Sequence, residues 1–518
     1  MDDLEEWSEP INKLVAQGLL APDAVLDALT QRVLNFYVLD EETELPRLHE
    51  TFESLATEED GVKQLTQSAF LSFLTFSGFL PPSMRDAGAL IYRSLLYLSQ
   101  YPFYRSIPEA LTYEELIRAL AWTMPERSRN IYDECHDSRS RSPADFRRQL
   151  FQGFATTRDG KSVPFDVEHT KEQAEQRAFN FTGADRRRSA GTNYDDDGDE
   201  MFHDILDVLY SVQPKDIGWK APPRDCFRPI AKELVGDERV HHLSIPQDEF
   251  RAILKLLVTT YFGKPSFSFK LADLDHVVDC IICPVIQRSD IGITWNMYEQ
   301  AAGNGMPMLM RGLQRILRPF YTNSTDENTT IDLPQSGKIA TWPVMAQLGS
   351  LGAFGSIFAF VQQYKYYDVR TMPVTASALA DELDALPRAS IAVLLSGKNS
   401  KTGKKIIFGS YMPYFPFDES PFLFQLSDIQ DAFRGNASRP GRELDGGELV
   451  FGQRWNGVAL VLQQDVERAI VSHNVSGQNE PMYVATTWRG DWQLEVEVEE
   501  IELWIEQLPD SDNEGEEE

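Results

Sequence analysis

The chain has 518 residues, 42% of them hydrophobic, and a formal net charge of −31 at pH 7. This length and apolar content predict roughly two to four domains with buried cores. The negative charge argues against direct binding of nucleic acid, because such binding depends on lysine and arginine displacing counterions from phosphates. No apolar run approaches the roughly 18 residues that a membrane-spanning helix requires, so we expect no direct membrane insertion.

The four cysteines are too few and too scattered for a disulfide framework in a chain of this length, so we expect reduced thiols. They are Cys135, Cys226, Cys280 and Cys283. The opening residues 1–6 carry acidic side chains where a signal peptide carries basic ones. We therefore expect a cytoplasmic protein.

The first part of the chain, residues 1–155, reads as a helical domain. Asp86 to Tyr101 shows the wide apolar coverage of a buried helix, and Thr112 followed by Glu115 is the pattern of a capping box. Leu45 to Leu55 and Ser68 to Phe79 resemble the helices of an EF-hand on either side of a loop. We predict an EF-hand-like domain here.

The loop between these two helices, Ala56 to Gln67, lacks most of the oxygen ligands of a calcium site. Only Glu58 and Asp60 fall at ligand positions, while Ala56 and Gln67 replace the first and last acidic groups. We therefore expect no metal in this loop and a turn at Gly61.

Residues 156–225 are interpreted as a charged linker. One stretch of it, Asn193 to Asp204, places oxygen ligands at positions one, three, five and twelve of a twelve-residue loop and Gly198 at the sixth. The flanking residues lack the apolar stripe of EF-hand helices, which favours the linker. A calcium-responsive loop at this place stays open as the alternative.

Residues 226–334 form a second region with helical periodicity. Phe250 to Tyr261 and Leu271 to Ile282 carry apolar residues at helical spacing, and Pro284 ends the second run. Cys280 and Cys283 lie inside this apolar stripe with no second CxxC. We expect core packing rather than zinc, even with His241, His242 and Cys226 elsewhere in the region.

Residues 335–507 read as short apolar strands separated by Gly, Pro, Asn and Asp clusters, a spacing typical of a β-sandwich. The candidate strands are Ile391 to Leu395, Lys405 to Phe415, Phe422 to Leu426, Leu449 to Phe451, Gly457 to Gln463, Ala469 to Ser472, Met482 to Trp488 and Trp492 to Trp504. The remaining residues, 508–518, form an acidic tail that we expect to be disordered.

The last strand is the most informative of these candidates. Leu494, Val496 and Val498 alternate with glutamates, which predicts one face on a core and one face in water. Glu500 breaks this phase, and the alternation resumes one residue later at Ile501. One extra residue in a strand is what a β-bulge supplies, so we predict a single bent strand.

Five segments of this region occur in a recognisable order: Ile391 to Gly397, Ile407 to Tyr411, Phe422 to Leu426, Leu449 to Gly452, and Ile501 to Trp504. Together they resemble the TLDc domain, over about a third of the chain. Ahead of them, Trp295, the Met308 to Leu317 run and the Gly337 to Leu351 segment resemble the fungal TLDc proteins named for restriction of telomere capping. Such relatives often begin with a myristoylated glycine where this chain has Asp2, so we expect membrane attachment only through a partner.

The resemblance implies an α+β protein with a helical, EF-hand-like first half and a C-terminal TLDc β-sandwich flanked by helices. It also implies a non-catalytic regulatory or adaptor protein with links to oxidative-stress resistance, which binds subunits of the vacuolar proton-pumping ATPase at the vacuole surface and favours its inhibition or disassembly. Phe408, Gly409, Glu502 and Trp504 match family positions and are our candidate partner-binding residues. No cofactor is implied, and any influence on telomere capping is expected to be indirect.

Two further observations bear on function. Lys398, Lys401, Lys404 and Lys405 form a basic hairpin, which would steer an acidic partner unless it is only a solvated tip. The sequence contains no GxSxG, no HExxH and no P-loop. A hydrolase that uses carboxylates, with Glu502 as the candidate acid or base, stays open as an alternative.

Overall fold

The computed structural model describes residues 7–103, 107–132, 143–157, 201–213, 222–263, 273–286, 292–322, 336–353, 361–386, 389–414, 420–435, 441–477 and 480–507. The chain divides into two compact units, each built from separate stretches. The first comprises Met1–Leu256, Arg288–Glu299 and Leu313–Asp326, and the second Leu257–Gln287, Gln300–Gly312 and Glu327–Glu518. Among the described helices, none combines the length and apolar character that a membrane crossing requires.

The described α-helices, numbered in chain order, are α1 (Ser8–Ala16), α2 (Pro22–Asn35), α3 (Glu44–Leu55), α4 (Gln67–Phe76), α5 (Arg85–Gln100), α6 (Tyr113–Trp122), α7 (Pro125–Ser128), α8 (Pro143–Phe154), α9 (Met201–Ser211), α10 (Arg228–Val235), α11 (Gln247–Thr259), α12 (Leu274–Ile282), α13 (Trp295–Gly305), α14 (Arg311–Leu317), α15 (Trp342–Leu351) and α16 (Ala376–Asp384). The strands are β1 (Thr57–Glu59), β2 (Val62–Gln64), β3 (Thr156–Thr157), β4 (Leu243–Ile245), β5 (Ile293–Thr294), β6 (Val361–Asp368), β7 (Ala389–Asn399), β8 (Lys405–Met412), β9 (Phe422–Ser427), β10 (Asp431–Arg434), β11 (Arg442–Asp445), β12 (Glu448–Gln453), β13 (Asn456–Leu462), β14 (Arg468–Asn474) and β15 (Trp492–Gln507).

Helices dominate the first unit, and its sheets are short. The predicted capping box is confirmed: the Glu115 backbone N–H donates to Thr112 Oγ1 at 3.3 Å, and the Thr112 N–H donates to Glu115 Oε2 at 2.8 Å. These bonds satisfy donors that a helix N-terminus otherwise leaves without partners. They fix the start of α6, whose apolar residues are buried with Trp122.

A hairpin connects α3 and α4, the two helices predicted as EF-hand-like. Strands β1 and β2 pair within the predicted loop, and the predicted turn at Gly61 is confirmed, with φ values of 51° at Asp60 and 80° at Gly61. Just beyond the hairpin, Leu65 and Leu111 exchange two backbone hydrogen bonds of 2.7 and 3.1 Å. This pair joins the α3–α4 connection to the α5–α6 connection.

A buried helix, α9, lies within residues 156–225, the segment we predicted as a charged linker. Its Asp204 is fully buried and accepts a hydrogen bond of 2.6 Å from Arg148 on α8, which also pairs with Asp145. The linker interpretation is therefore wrong for 201–211. The misleading signal was charge: Asp204 and Asp207 are paired with buried arginines instead of water.

The second unit contains the large antiparallel sheet, with the strand order β10-β9-β8-β7-β15-β14-β13-β12-β11 and β6 beside β15. Strands β10 and β14 are far apart in this order, yet the rings of Phe433 and His473 lie 5.5 Å apart. Apolar residues from both halves of the sheet form one core together with α16. The sheet is thus folded over on itself as two layers, and the α+β prediction is confirmed.

Helices α12 and α15 pack against β9, and polar contacts fix the position of α15. The Gln347 amide on α15 donates to the Leu426 carbonyl at 3.0 Å and to Gln430 Oε1 at 3.1 Å. Gln430 in turn donates to the Gly305 carbonyl at the end of α13, at 2.7 Å. This buried amide network joins the helices to the β9–β10 turn.

Strand β15 confirms the predicted bend. Its pairing with β7 shifts register between Val498 and Glu500, and Val496, Val498 and Ile501 all face the core. The β-bulge thus keeps the apolar residues on one face despite the change of phase.

The predicted strand Met482 to Trp488 is wrong, because this segment holds a 3-10 turn at Thr487–Arg489 and only an isolated bridge at Tyr483. Strands β6, β10 and β11 were not predicted. Strand β6 is rich in glutamine and tyrosine, and β11 is mostly exposed, so neither shows a clean apolar alternation.

Candidate partner-binding residues

The sheet places the four candidate residues close together, in three cross-strand rows. Gly409 on β8 and Glu502 on β15 both pair with Leu394 of β7, which lies between them. Phe408 belongs to the adjacent row, which faces the core, and Trp504 lies on the same face as Glu502. The family-matched positions therefore form one patch of the sheet.

Phe408 and Gly409 are both packed closely, on opposite faces of β8. Phe408 is fully buried, and its ring stacks on Phe433 with 6.1 Å between centroids. A Cβ at Gly409 would overlap the Val393 carbonyl and lie 2.5 Å from Phe424 Cζ. Position 409 therefore requires glycine because the Phe424 ring fills the space of a side chain.

Glu502 accepts four hydrogen bonds. The backbone N–H groups of Lys338, Ile339 and Ala340 donate to its carboxylate at 2.6, 2.9 and 3.0 Å, and the Trp504 indole Nε1 donates at 2.9 Å. The side chain is fully buried. We call this arrangement the Glu502 lock, because it fastens segment 338–340, just before α15, to β15.

The local sequence explains how the lock forms. The Gly337 N–H donates to the Ala340 carbonyl at 3.0 Å, which closes a turn whose amides point at the carboxylate. Gly337 is packed against Glu502, and a Cβ at this position would lie 2.5 Å from Oε1. Consecutive backbone N–H groups in a turn make a concave anion-binding site, and here the chain supplies its own anion.

The hydrogen bonds of the Glu502 lock hold two segments of the chain together. Both carboxylate oxygens are occupied by donors, and the group has no exposed surface. A general acid or base must lie within hydrogen-bond reach of its substrate, which this burial prevents in the folded state. Contact of these four residues with a partner stays a prediction, and a partner would reach them only after local opening.

The basic hairpin between β7 and β8 is exposed, but part of its charge is neutralised by the chain itself. Lys398 pairs with Glu499 at 2.8 Å, and Lys404 pairs with Asp428 at 3.1 Å. The Asn399 side chain accepts from the backbone N–H groups of Lys401 and Thr402, which holds the tip in one conformation. Lys401 and Lys405 leave their ammonium groups in solvent.

An exposed tryptophan at the β12–β13 turn was missed by the sequence reasoning. Trp455 is 85% exposed at the turn closed by the Gln453–Asn456 pair. The available signal was a tryptophan between two strand candidates, flanked by Gly452 and Gly457. A large exposed aromatic side chain at such a tip is suited to contact with another protein.

The described parts of the chain contain no group of three or more His, Cys, Asp or Glu side chains that could hold a metal ion. Glu58 is exposed on β1, and Asp204 is paired with Arg148. Residues 193–200 of the alternative calcium loop lie outside the described residues. Around the CxxC, burial raises the pKa of the Cys280 thiol to about 12, and Cys283 is exposed.

Comparison with protein-family models gave no match. Comparison with curated proteins gave relatives from three fungi, which all carry the same name. The chain is similar to restriction of telomere capping protein 5. The relative from Leptosphaeria maculans is 22% identical, and the aligned region covers 88% of this chain and 84% of the relative.

The other two relatives support the same similarity over a smaller share of the chain. The protein from Emericella nidulans is 24% identical over 76% of this chain and 65% of its own length. The protein from Sordaria macrospora is 21% identical over 76% of this chain and 71% of its own length. The similarity to restriction of telomere capping protein 5 therefore extends well beyond the strands from which the sequence resemblance was drawn.

Proposed function

We propose that this chain is a non-catalytic, cytoplasmic adaptor protein of the TLDc type that takes part in the restriction of telomere capping, as the names of its relatives state. The observation that carries the proposal is the similarity to restriction of telomere capping protein 5 over 88% of the chain. The net charge of −31 favours an indirect influence on telomeres through proteins rather than DNA contact.

The partner that we propose is the vacuolar proton-pumping ATPase, which the TLDc resemblance implies. In this view the chain binds peripheral subunits of the enzyme at the vacuole surface and favours its inhibition or disassembly, and its link to oxidative-stress resistance follows from that regulation. Trp455 and the basic hairpin are the exposed features that we assign to this contact. They combine an apolar anchor with a positive tip on an otherwise acidic chain.

The non-catalytic part of the proposal is supported by the Glu502 lock. Glu502 was the candidate acid or base of the alternative hydrolase, yet its carboxylate is buried and accepts four structural hydrogen bonds. We therefore assign Glu502 a role in stabilising the fold.

We also propose that the first unit contains a degenerate, EF-hand-like pair of helix-loop-helix segments, α3–α4 and α5–α6. The two-way backbone pair between Leu65 and Leu111 supports it, as do the matching N-caps Thr66 and Thr112 at the starts of α4 and α6. With few acidic ligands in its first loop, the pair would serve as a protein-binding scaffold rather than a calcium sensor.

The test is sedimentation of the purified full chain with vacuolar membranes. We expect the wild-type chain to sediment with membranes that carry the ATPase and to stay in the supernatant with membranes that lack it. The Lys401→Glu/Lys405→Glu double variant should sediment less, while Lys13→Glu, an exposed charge change in the first unit, should sediment like the wild type. Equal sedimentation with both kinds of membrane would refute the proposed partner.

A further inference from the structure

A single buried histidine on β14 fastens the turn Thr486–Gly490 to the sandwich. His473 Nδ1 lies 2.8 Å from the Gly490 carbonyl, and Nε2 accepts a hydrogen bond of 2.9 Å from the Thr486 backbone N–H. A carbonyl only accepts and a backbone N–H only donates, so the ring is neutral with its proton on Nδ1. Both ring nitrogens are therefore bound to the same turn.

Asp431 on β10 fastens the same turn from the other layer of the sandwich. Its carboxylate accepts hydrogen bonds of 3.0 Å from Thr486 Oγ1 and 3.2 Å from the Arg489 guanidinium. Arg489 also donates to Gln425 on β9, at 3.0 Å. We call His473, Asp431 and the turn Thr486–Gly490 together the turn clamp.

The groups around His473 hold it in the neutral form. Trp492 on β15 stacks on the ring at 4.9 Å, and Phe433 on β10 closes another side. Burial lowers the pKa of His473, and the nearby Arg489 lowers it further, while the hydrogen bond to Gly490 and the carboxylate of Asp491 act in the opposite direction. The Asp431 carboxylate accepts hydrogen bonds from Thr486 and Arg489 of the turn. Its negative charge partly balances the charge of the Arg489 guanidinium.

We propose that the turn clamp is an acid-sensitive latch, in which a second proton on His473, at Nε2, releases the turn Thr486–Gly490 from the sheet. That proton would point at the Thr486 N–H, so two donors would face each other and the bond would be lost. The released turn would uncover the edge of the His473 ring that carries Nδ1 and Nε2. It would also withdraw the Arg489 guanidinium from the Trp492 ring, whose centroid lies 4.5 Å away.

The sign of the pH dependence follows from linkage. In the open state His473 has its ordinary pKa near 6.5, and in the closed state its pKa is lower. The open state thus binds more protons as the pH falls below 6.5, and opening becomes more favourable by up to about tenfold per pH unit. Above pH 6.5 the contribution of the neutral histidine to closure is fully present.

The experiment is hydrogen exchange of the Thr486 amide in the full chain at pH 7.5 and 5.5, corrected for intrinsic rates and for a reference peptide from β13. We expect protection of Thr486 to fall by up to about tenfold at pH 5.5. His473→Phe should show weak protection at both pH values. His276→Phe, a change of an exposed histidine, should keep the wild-type response.

Equal corrected protection of Thr486 at the two pH values, or the same loss in His473→Phe as in the wild type, would overturn the latch. If His473→Phe does not fold, an NMR titration of His473 in the wild-type chain replaces it. A pKa below 6.5 supports the latch, and a pKa at or above 6.5 removes its basis, because the closed state would then not favour the neutral ring.

Discussion

The Trp504 indole donates a hydrogen bond of 2.9 Å to the Glu502 carboxylate, two residues before it on the same face of β15. The same carboxylate accepts from three consecutive backbone amides, beginning at Lys338. Trp504 therefore orients the Glu502 carboxylate, and the carboxylate holds segment 338–340 against β15.

Replacing the buried carboxylate should loosen this attachment. In Glu502→Gln, the amide NH₂ would face backbone donors, so we expect a loss of about 2 kcal/mol in the free energy of opening around β15 and α15. Glu497→Gln, an exposed change on the same strand, should have little effect. Hydrogen exchange of peptides from β15 and 336–353 in urea measures both. Equal stability of the two variants would mean that the Glu502 lock does not hold this segment.

Position 409 should not tolerate a methyl group. Gly409→Ala would push a Cβ against the Val393 carbonyl and the Phe424 ring, and overpacking of this kind costs about 1–3 kcal/mol. Gly305→Ala is the matched control, because the atom nearest to its Cβ would be the Gln430 carbonyl oxygen, at an ordinary contact distance of 3.7 Å. The shift in thermal midpoint by calorimetry distinguishes them. A Gly409→Ala chain as stable as the control would contradict the packing described here.

The buried ion pairs of the first unit should be sensitive to removal of one partner. Arg148→Met would leave Asp145 and Asp204 buried without their shared guanidinium, and we expect a loss of about 3–5 kcal/mol. Arg468→Met removes an exposed pair with Glu495 and should cost less than about 1 kcal/mol. Hydrogen exchange at increasing urea concentrations gives the unfolding midpoint of each region of the full chain. The midpoints of α8 and α9 report the first change, and the midpoint of β14 reports the second. Similar small effects would show that the buried pairs contribute little.

The two CxxC thiols should react at very different rates. Burial raises the pKa of the Cys280 thiol to about 12. The pKa of the Cys283 thiol is also raised, mainly because neighbouring groups keep part of the water away from it. Since the thiolate is the reactive form, we expect slow alkylation of Cys283 at pH 8 and none of Cys280 until urea unfolds the chain. Mass spectrometry of peptides from the alkylated protein measures both sites. Labelling of Cys280 in the native chain would contradict its packed position.

The sequence was a good guide where local rules decide the structure. Alternation along Leu494 to Ile501 predicted the bulge in β15, and the Thr112 and Glu115 pair predicted the start of α6. These features depend on strand period and on helix-end hydrogen bonds, which a few neighbouring residues determine.

Long-range partners explain what was missed. Charge alone does not reveal that Asp204 pairs with Arg148, 56 residues earlier, or that the Glu502 carboxylate meets amides more than 160 residues away. The polar groups that hold the turn Thr486–Gly490, His473 and Asp431, lie elsewhere in the chain. The local sequence therefore did not reveal the turn, and a strand was predicted there instead. Such groups are identified only once the fold has brought them together.

The proposed regulation of the vacuolar proton-pumping ATPase is tested by measuring release of its peripheral subunits from purified vacuolar membranes in the presence of ATP. With increasing amounts of the full chain, we expect the subunits to move from the membrane pellet to the supernatant, and proton pumping to fall in parallel. Subunits that stay fully membrane-bound at saturating chain, with pumping unchanged, would contradict the claim.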